Sequence, residues 1–332
     1  MSERHRYRPA WWVPGPHLRT LWGRITRRPL RVATRREQWT TPDDDLLELR
    51  RLDPPPHAPP ATPRFVLLHG LEGGIQSHYV GNFFREASRR GWGMDLILFR
   101  GCNGEPNRAR RFYHSGETED LAFALERIAA ERPGTPLVLA GVSLGGNVLL
   151  KYLGERGDDV PAAVRAAAAV SVPYDLARGC RHISRGFSRV YETHFLASLR
   201  VKALEKLERY PDLFDRAKLE RARTLWDFDD AVTAPVHGFR DAADYYARSS
   251  SIHYLEGIRV PTLLLSAEDD PFLPREVLDE VRAIARGTPA LTVEFVPRGG
   301  HVGFVSGHLP WKPHWYAEWR VLDFLSSRLE RR

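Results

Sequence analysis

Six short apolar runs, at residues 64–68, 94–99, 137–141, 166–172, 262–267 and 291–296, are separated for the most part by stretches of helical periodicity. Strands that alternate with helices build a parallel sheet, because only a crossover returns the chain in the same direction. The middle runs are apolar almost throughout, as strands buried on both faces are. Thr292, Val293, Glu294, Phe295 and Val296 alternate instead and predict a strand nearer the sheet edge. Helices are predicted over 77–89, 117–131, 144–156, 275–285 and 315–330. Glu117, Glu119 and Asp120 crowd the first turn of the second, where carboxylates complement the helix dipole. A strand pair is predicted at 37–41 and 46–52 across Pro42, Asp43 and Asp44, followed by a proline-rich connector over 53–63. Residues 174–257 break this rhythm, with no convincing strand and with amphipathic pieces at 196–210 and 211–225. They predict a helical cap inserted over the carboxyl ends of the strands. The expected architecture is one α/β domain over 1–332, with a mostly parallel eight-stranded sheet and helices on both faces.

At 332 residues and 42% hydrophobic content the chain can bury a large core. Its two cysteines, Cys102 and Cys180, exclude a disulfide framework or a four-cysteine zinc site, and a reducing cytoplasm is the expected setting. The formal charge of +7 is lopsided: ten Arg and two Glu in the first 40 residues contribute +8 and leave −1 for the remaining 292. Only five of the 49 basic residues are Lys, and no basic stripe or motif is visible, so nucleic acid is not expected as a partner. The opening residues lack the apolar stretch and small-residue cleavage site of a secretory signal. No run of 18 or more apolar residues offers a membrane span. No HExxH, paired-cysteine or EF-hand spacing points to a metal, and no cofactor is expected.

The chemistry concentrates at Gly141-Val142-Ser143-Leu144-Gly145. In a G-x-S-x-G turn the serine occupies a strained position between strand and helix, which lifts its hydroxyl above the sheet. Small residues two before and two after it avoid a collision across the turn. Composition alone would produce the bare pattern roughly 0.1 times in such a chain, and here a strand leads in and a helix follows. His69-Gly70-Leu71-Glu72-Gly73-Gly74 follows the run at 64–68, where a glycine-rich backbone can approach a ligand closely. The N–H groups of Leu71 and Leu144 are the candidate oxyanion donors. A phosphate loop is excluded because no GKS or GKT is present. A serine nucleophile needs a base and an orienting acid, expected in the order Ser, Asp or Glu, His. His301, behind Gly299-Gly300 after the last strand, is the candidate base. The acid is Asp269 or Asp270. Asp270 is preferred because it precedes Pro271, where the backbone is restricted to extended forms, and Asp269 is left to cap or stiffen the loop.

These motifs resemble the YheT-like branch of the α/β-hydrolase fold, related to medium-chain lipid esterases and alcohol acyltransferases. The resemblance extends over about 11–304, through HGLEGG at 69–74, RGCNGEPNRARRFYHSGETEDL at 100–121, GVSLGGN at 141–147, DDPF at 269–272 and GGHVGF at 299–304. The block at 100–121 is its most specific part. The resemblance implies that Ser143, Asp270 and His301 form a triad and that Arg100, Tyr113 and His114 are scaffold or pocket residues. One departure is visible: such proteins usually read close to G-H-L-Q-T where this chain has Gly15-Pro16-His17-Leu18-Arg19-Thr20. The implied activity is hydrolysis of a small-molecule acyl ester of short or medium chain, such as an acylglycerol, through an acyl enzyme. An alcohol in place of water would make the same acyl enzyme an acyltransferase. The alternative from another class is a non-catalytic membrane-surface or partner-binding protein on a vestigial hydrolase fold. The N-terminal segment 1–36, with Trp39 just beyond it, admits two readings: peripheral contact with an anionic membrane interface, or tryptophans packed on the domain with solvated arginines. The second is favoured because prolines at 9, 14 and 16 prevent a long helix with one apolar face.

Overall fold

All six apolar runs form strands, and the predicted pair near the N-terminus joins them in one sheet. The computed structural model describes residues 6–27 and 32–330, so the parts of the N-terminal segment at 1–5 and 28–31 lie outside the described residues. The chain runs through α1 (Pro16–Thr26), β1 (Arg35–Thr40), β2 (Leu46–Leu52), β3 (Arg64–Leu68), α2 (Val80–Arg89), β4 (Gly93–Leu98), α3 (Glu119–Glu131), β5 (Leu137–Val142), α4 (Leu144–Arg156) and β6 (Val164–Val170). Six helices follow: α5 (Leu176–Ile183), α6 (Arg189–Arg209), α7 (Arg216–Arg221), α8 (Leu225–Phe228), α9 (Ala234–His237) and α10 (Ala242–Ser249). The chain then returns through β7 (Thr262–Ala267), α11 (Arg275–Gly287), β8 (Leu291–Val296), the short pair β9 (Val305–Ser306) and β10 (His314–Trp315), and α12 (Tyr316–Leu329).

The sheet order is β1-β2-β4-β3-β5-β6-β7-β8, and only β2 runs against its neighbours. The alternating run at 291–296 is an edge strand, as its pattern predicts. On one face α2 and α12 pack against Phe65, Leu67, Met94 and Val138; on the other α3, α4 and α11 cover Val66, Leu68, Leu139 and Leu264. The chain leaves β3 for one face and β5 for the other, so a crevice opens between their carboxyl ends. Open α/β sheets bind ligands at such a switch point, and here both motif loops, 69–74 and 141–145, meet there.

The insertion between β6 and β7 is entirely helical and has small apolar cores of its own, one built from Leu196, Leu207, Phe214, Leu219 and Phe228. Arg100 is buried among Asp43, Asp45 and Asp120, at 2.6–3.0 Å. The N-terminal segment differs from expectation in one respect. Trp12 and Trp22 pack together at 5.3 Å beside Val13 and Val305, and Trp39 is in the main core, although Trp11 is exposed. The arginines are not all left to solvent: Arg19 and Arg27 are buried against Asp269 and Glu318. A buried guanidinium is tolerated when a carboxylate partners it, and these partners lie far away in sequence.

Candidate active site

Ser143 follows the central strand β5 directly and has φ of 54°, a strained value for a residue with a side chain. Its N–H is anchored on the Val170 carbonyl at 2.8 Å. A Cβ at Gly141 would come within 2.3 Å of the Gly145 carbonyl oxygen, and one at Gly145 within 2.4 Å of the His69 carbonyl oxygen. The small residues flanking the serine are therefore sterically required.

Ser143 Oγ lies 3.0 Å from His301 Nε2, and His301 Nδ1 lies 2.8 Å and 3.1 Å from the two Asp270 carboxylate oxygens. The network assigns the proton to Nδ1, donating to Asp270, which frees Nε2 to accept from the serine hydroxyl. The Phe272 N–H donates to Asp270 at 2.8 Å, and the Phe272 ring stacks on His301 at 4.0 Å. Of the two adjacent acids, Asp270 touches the imidazole and Asp269 does not. Asp269 accepts instead from the N–H groups of Gly299 and Gly300, at 2.7 and 2.8 Å, and from Arg19 at 3.2 Å. The Thr20 hydroxyl accepts from the His301 N–H at 2.9 Å, and the Ser171 hydroxyl from the Val302 N–H at 3.0 Å. Helix α1 thus grips the loop that carries the imidazole.

Leu144 opens α4, so its N–H has no acceptor within the helix. Leu71 sits in the turn closed by Gly73 N–H on the Gly70 carbonyl, 2.9 Å. That turn is fixed from several sides. The Tyr79 hydroxyl accepts from the Gly70 N–H at 2.8 Å, and His69 accepts from the Phe99 N–H at 3.1 Å while its Nδ1 meets the Gly70 carbonyl at 2.8 Å. Burial holds the His69 pKa down to about 4, so it stays neutral and structural. Glu72 has φ of 53° and joins the turn to the insertion. Its carboxylate accepts from Tyr113 and Lys202, both at 2.8 Å, and from the Ser198 hydroxyl. Burial pushes the Glu72 pKa up, but Lys202 and these hydrogen bonds outweigh it and hold it below its ordinary value.

Two chambers open on Ser143 and His301. The first, about 480 Å³, is walled by Leu144 and by insertion side chains that include Leu176, Ile183, Phe195, Leu199, Phe228 and Val232. The second, about 670 Å³, is more polar and is lined by Thr20, Leu21, Arg24, Arg50, His78 and His194. Sequence reasoning placed the serine, histidine and acid but missed Arg19, Thr20 and Asn147. Asn147 bridges α4 to the carbonyls of Ser115 and Ser249, both at 2.8 Å, and to the Ser251 N–H at 2.9 Å. It lies inside the GVSLGGN run, one helical turn beyond the serine, which was the available signal. His114 meets His237 at 4.4 Å on the wall of the first chamber.

Asp229 also faces the first chamber, with Thr233 and Tyr246 hydroxyls as its donors. Burial outweighs those hydrogen bonds and raises its pKa from 3.8 to about 6. A carboxyl that holds its proton more tightly when folded makes stability fall as pH rises from about 4 to 6. Asp229→Asn is therefore expected to stabilise the protein at pH 8, by on the order of 1–3 kcal/mol, and to lose most of that gain near pH 4.5. Urea unfolding midpoints at the two pH values check this. A variant less stable than the parent at pH 8 would overturn it.

Residues 63–307 match the family model described as the alpha/beta hydrolase fold. The chain belongs to the α/β-hydrolase family, as an enzyme of the esterase and lipase type. Within it the chain is a homologue of the YheT esterase of Escherichia coli K12, 39% identical over 316 residues that cover 95% of this chain and 91% of that one. It is also 29% identical to a Saccharomyces cerevisiae monoacylglycerol lipase, over 86% of this chain and 62% of the relative. The Pyrococcus furiosus esterase Pf2001 shares the fold, with a TM-score of 0.56 at 16% identity, over 90% of this chain and 98% of that one. Among the described residues no helix is long and apolar enough to cross a membrane.

Proposed function

We propose that the protein is a serine carboxylic ester hydrolase that forms an acyl enzyme on Ser143 from an ester of short or medium acyl chain, such as an acylglycerol. The observation that carries this reading is the aligned contact of Ser143 Oγ, His301 Nε2 and the Asp270 carboxylate at the mouth of an apolar chamber. His301 takes the serine proton as Oγ attacks the ester carbonyl, and Asp270 holds the tautomer and stabilises the imidazolium. The N–H groups of Leu71 and Leu144 receive the charge that develops on the carbonyl oxygen. His301 then protonates the departing alcohol, and a water activated by the same imidazole releases the acid. The acyl chain lies in the first chamber, so the helical insertion sets its length preference. The alcohol leaves through the second, and Asp269 with Arg19 and Thr20 keeps the His301 loop in register.

An acyltransferase reading shares every step up to the acyl enzyme, and the second chamber gives it physical support because an alcohol can reach Ser143 from there. A panel of p-nitrophenyl esters of increasing chain length, with a fluorophosphonate label, tests the main reading. The expected result is one label per chain and a kcat/KM that rises from acetyl to a medium-chain optimum and falls beyond it. No hydrolysis of any ester and no label would defeat the proposal. Ester formation in added ethanol would favour transfer over hydrolysis.

A further inference from the structure

We propose that the face formed by α1 and the start of α6 docks on an anionic lipid surface, so that the second chamber opens toward the membrane. The proposal rests on the hydrolase reading only for what enters that chamber. Long side chains join the two helices: the His17 ring packs on Phe187, just ahead of α6, at 4.6 Å and its Nδ1 is 3.3 Å from the Tyr191 hydroxyl, while Arg24 reaches His194 at 3.1 Å. Of the eight large hydrophobic side chains exposed among the described residues, four are here: Leu18 at 36%, Ile25 at 70%, Phe187 at 53% and Val190 at 57%. Leu18 and Ile25, seven residues apart, share one face of α1. Exposed apolar residues scattered singly mean little, but a cluster of them marks a contact surface.

The exposed charges on the two stretches that form this face are all positive. Arg24, Arg185 and Arg189 are exposed, and neither 16–27 nor 184–194 presents an exposed carboxylate. The one acid in those stretches, Glu192, is buried and accepts from the Ser184 hydroxyl and the Leu225 N–H. Apolar side chains ringed by guanidinium groups suit a bilayer boundary, the first entering the acyl region and the second meeting anionic headgroups. The surface is also joined to the chemistry, since Leu21, Arg24, Tyr191 and His194 line the chamber that contains Ser143 and His301. An amphiphilic ester could pass from a bilayer into that chamber with little exposure of its apolar part to water.

The test is sedimentation of the full chain with phosphatidylcholine vesicles that contain or lack phosphatidylglycerol, alongside hydrolysis of soluble p-nitrophenyl butyrate. The parent protein is expected to pellet with the anionic vesicles at low salt and to be released at high salt. Arg185→Gln with Arg189→Gln should weaken partitioning about 25-fold, at about fivefold per arginine, and Phe187→Glu with Val190→Glu should abolish it. Neither pair lines a chamber, so hydrolysis of the soluble ester should stay within twofold in both, which also reports that they fold. Equal pelleting with neutral and anionic vesicles, or variants that pellet like the parent, would overturn the proposal. Vesicle binding without hydrolysis of the soluble ester would uphold the docking surface and reject the hydrolase reading alone.

Discussion

Ser143→Ala is expected to abolish fluorophosphonate labelling and to lower ester turnover by about 10⁶-fold. A serine hydroxyl is a weak nucleophile at neutral pH, and only a base within hydrogen-bond reach makes it reactive. Among the described residues the His301 contact at 3.0 Å supplies that condition for Ser143. On the proposed mechanism the hydroxyl and the imidazole act as one unit, so Ser143→Ala combined with His301→Ala should be little worse than either change alone. Intact-protein mass after labelling, with kcat for the two single variants and the pair, measures both effects. A label that persists in Ser143→Ala would sink the assignment, and losses that multiply in the pair would argue against a shared unit.

Asp270→Asn is expected to cut kcat by about 10⁴-fold while the fold survives. The carboxylate accepts from His301 Nδ1 and from the Phe272 N–H. An amide in its place can turn a donor toward Nδ1, which leaves Nε2 protonated and unable to take the serine proton. Asp269→Asn keeps an acceptor for the Gly299 and Gly300 N–H groups but loses the ion pair with Arg19. It should therefore lower Tm and loop order more than turnover. Matching kcat and Tm measurements on the two variants separate the roles, and a larger kcat loss at Asp269 with equal stability would reverse them.

The pattern of legibility follows the range of each interaction. Strands β3 to β8 were readable because burial on both faces leaves a local trace, a short run of apolar residues, and the serine turn because its steric demands fall within five positions. His301 and the acid pair followed from their order after strands. Helix α1 was not foreseen, because what organises it is long-range: Arg19 meets a carboxylate 250 residues away and Thr20 an N–H 281 residues away. Composition suggested solvated arginines there, since no local acid announces a partner for Arg19 or Arg27. The division of labour between Asp269 and Asp270 likewise depends on which way each side chain leaves the strand end. In the insertion, the short helices α5, α8 and α10 begin at Asp175, Thr224 and Asp241, whose side chains accept from their first-turn N–H groups. Such capping is visible in the sequence only once the helix is known.

The grip of α1 on the His301 loop also orders events during synthesis. Arg19 is made 250 residues before Asp269 and Thr20 281 residues before His301, so α1 waits through synthesis of the whole eight-stranded sheet for its partners. Contacts this distant in sequence are costly to close and form late. The sheet can assemble from β3 through β7 while Ser143 Oγ still lacks its contact with His301. A chain at that stage carries Ser143 on its strained turn without the imidazole beside it, and on the proposed mechanism it hydrolyses no ester until the His301 loop has closed on α1.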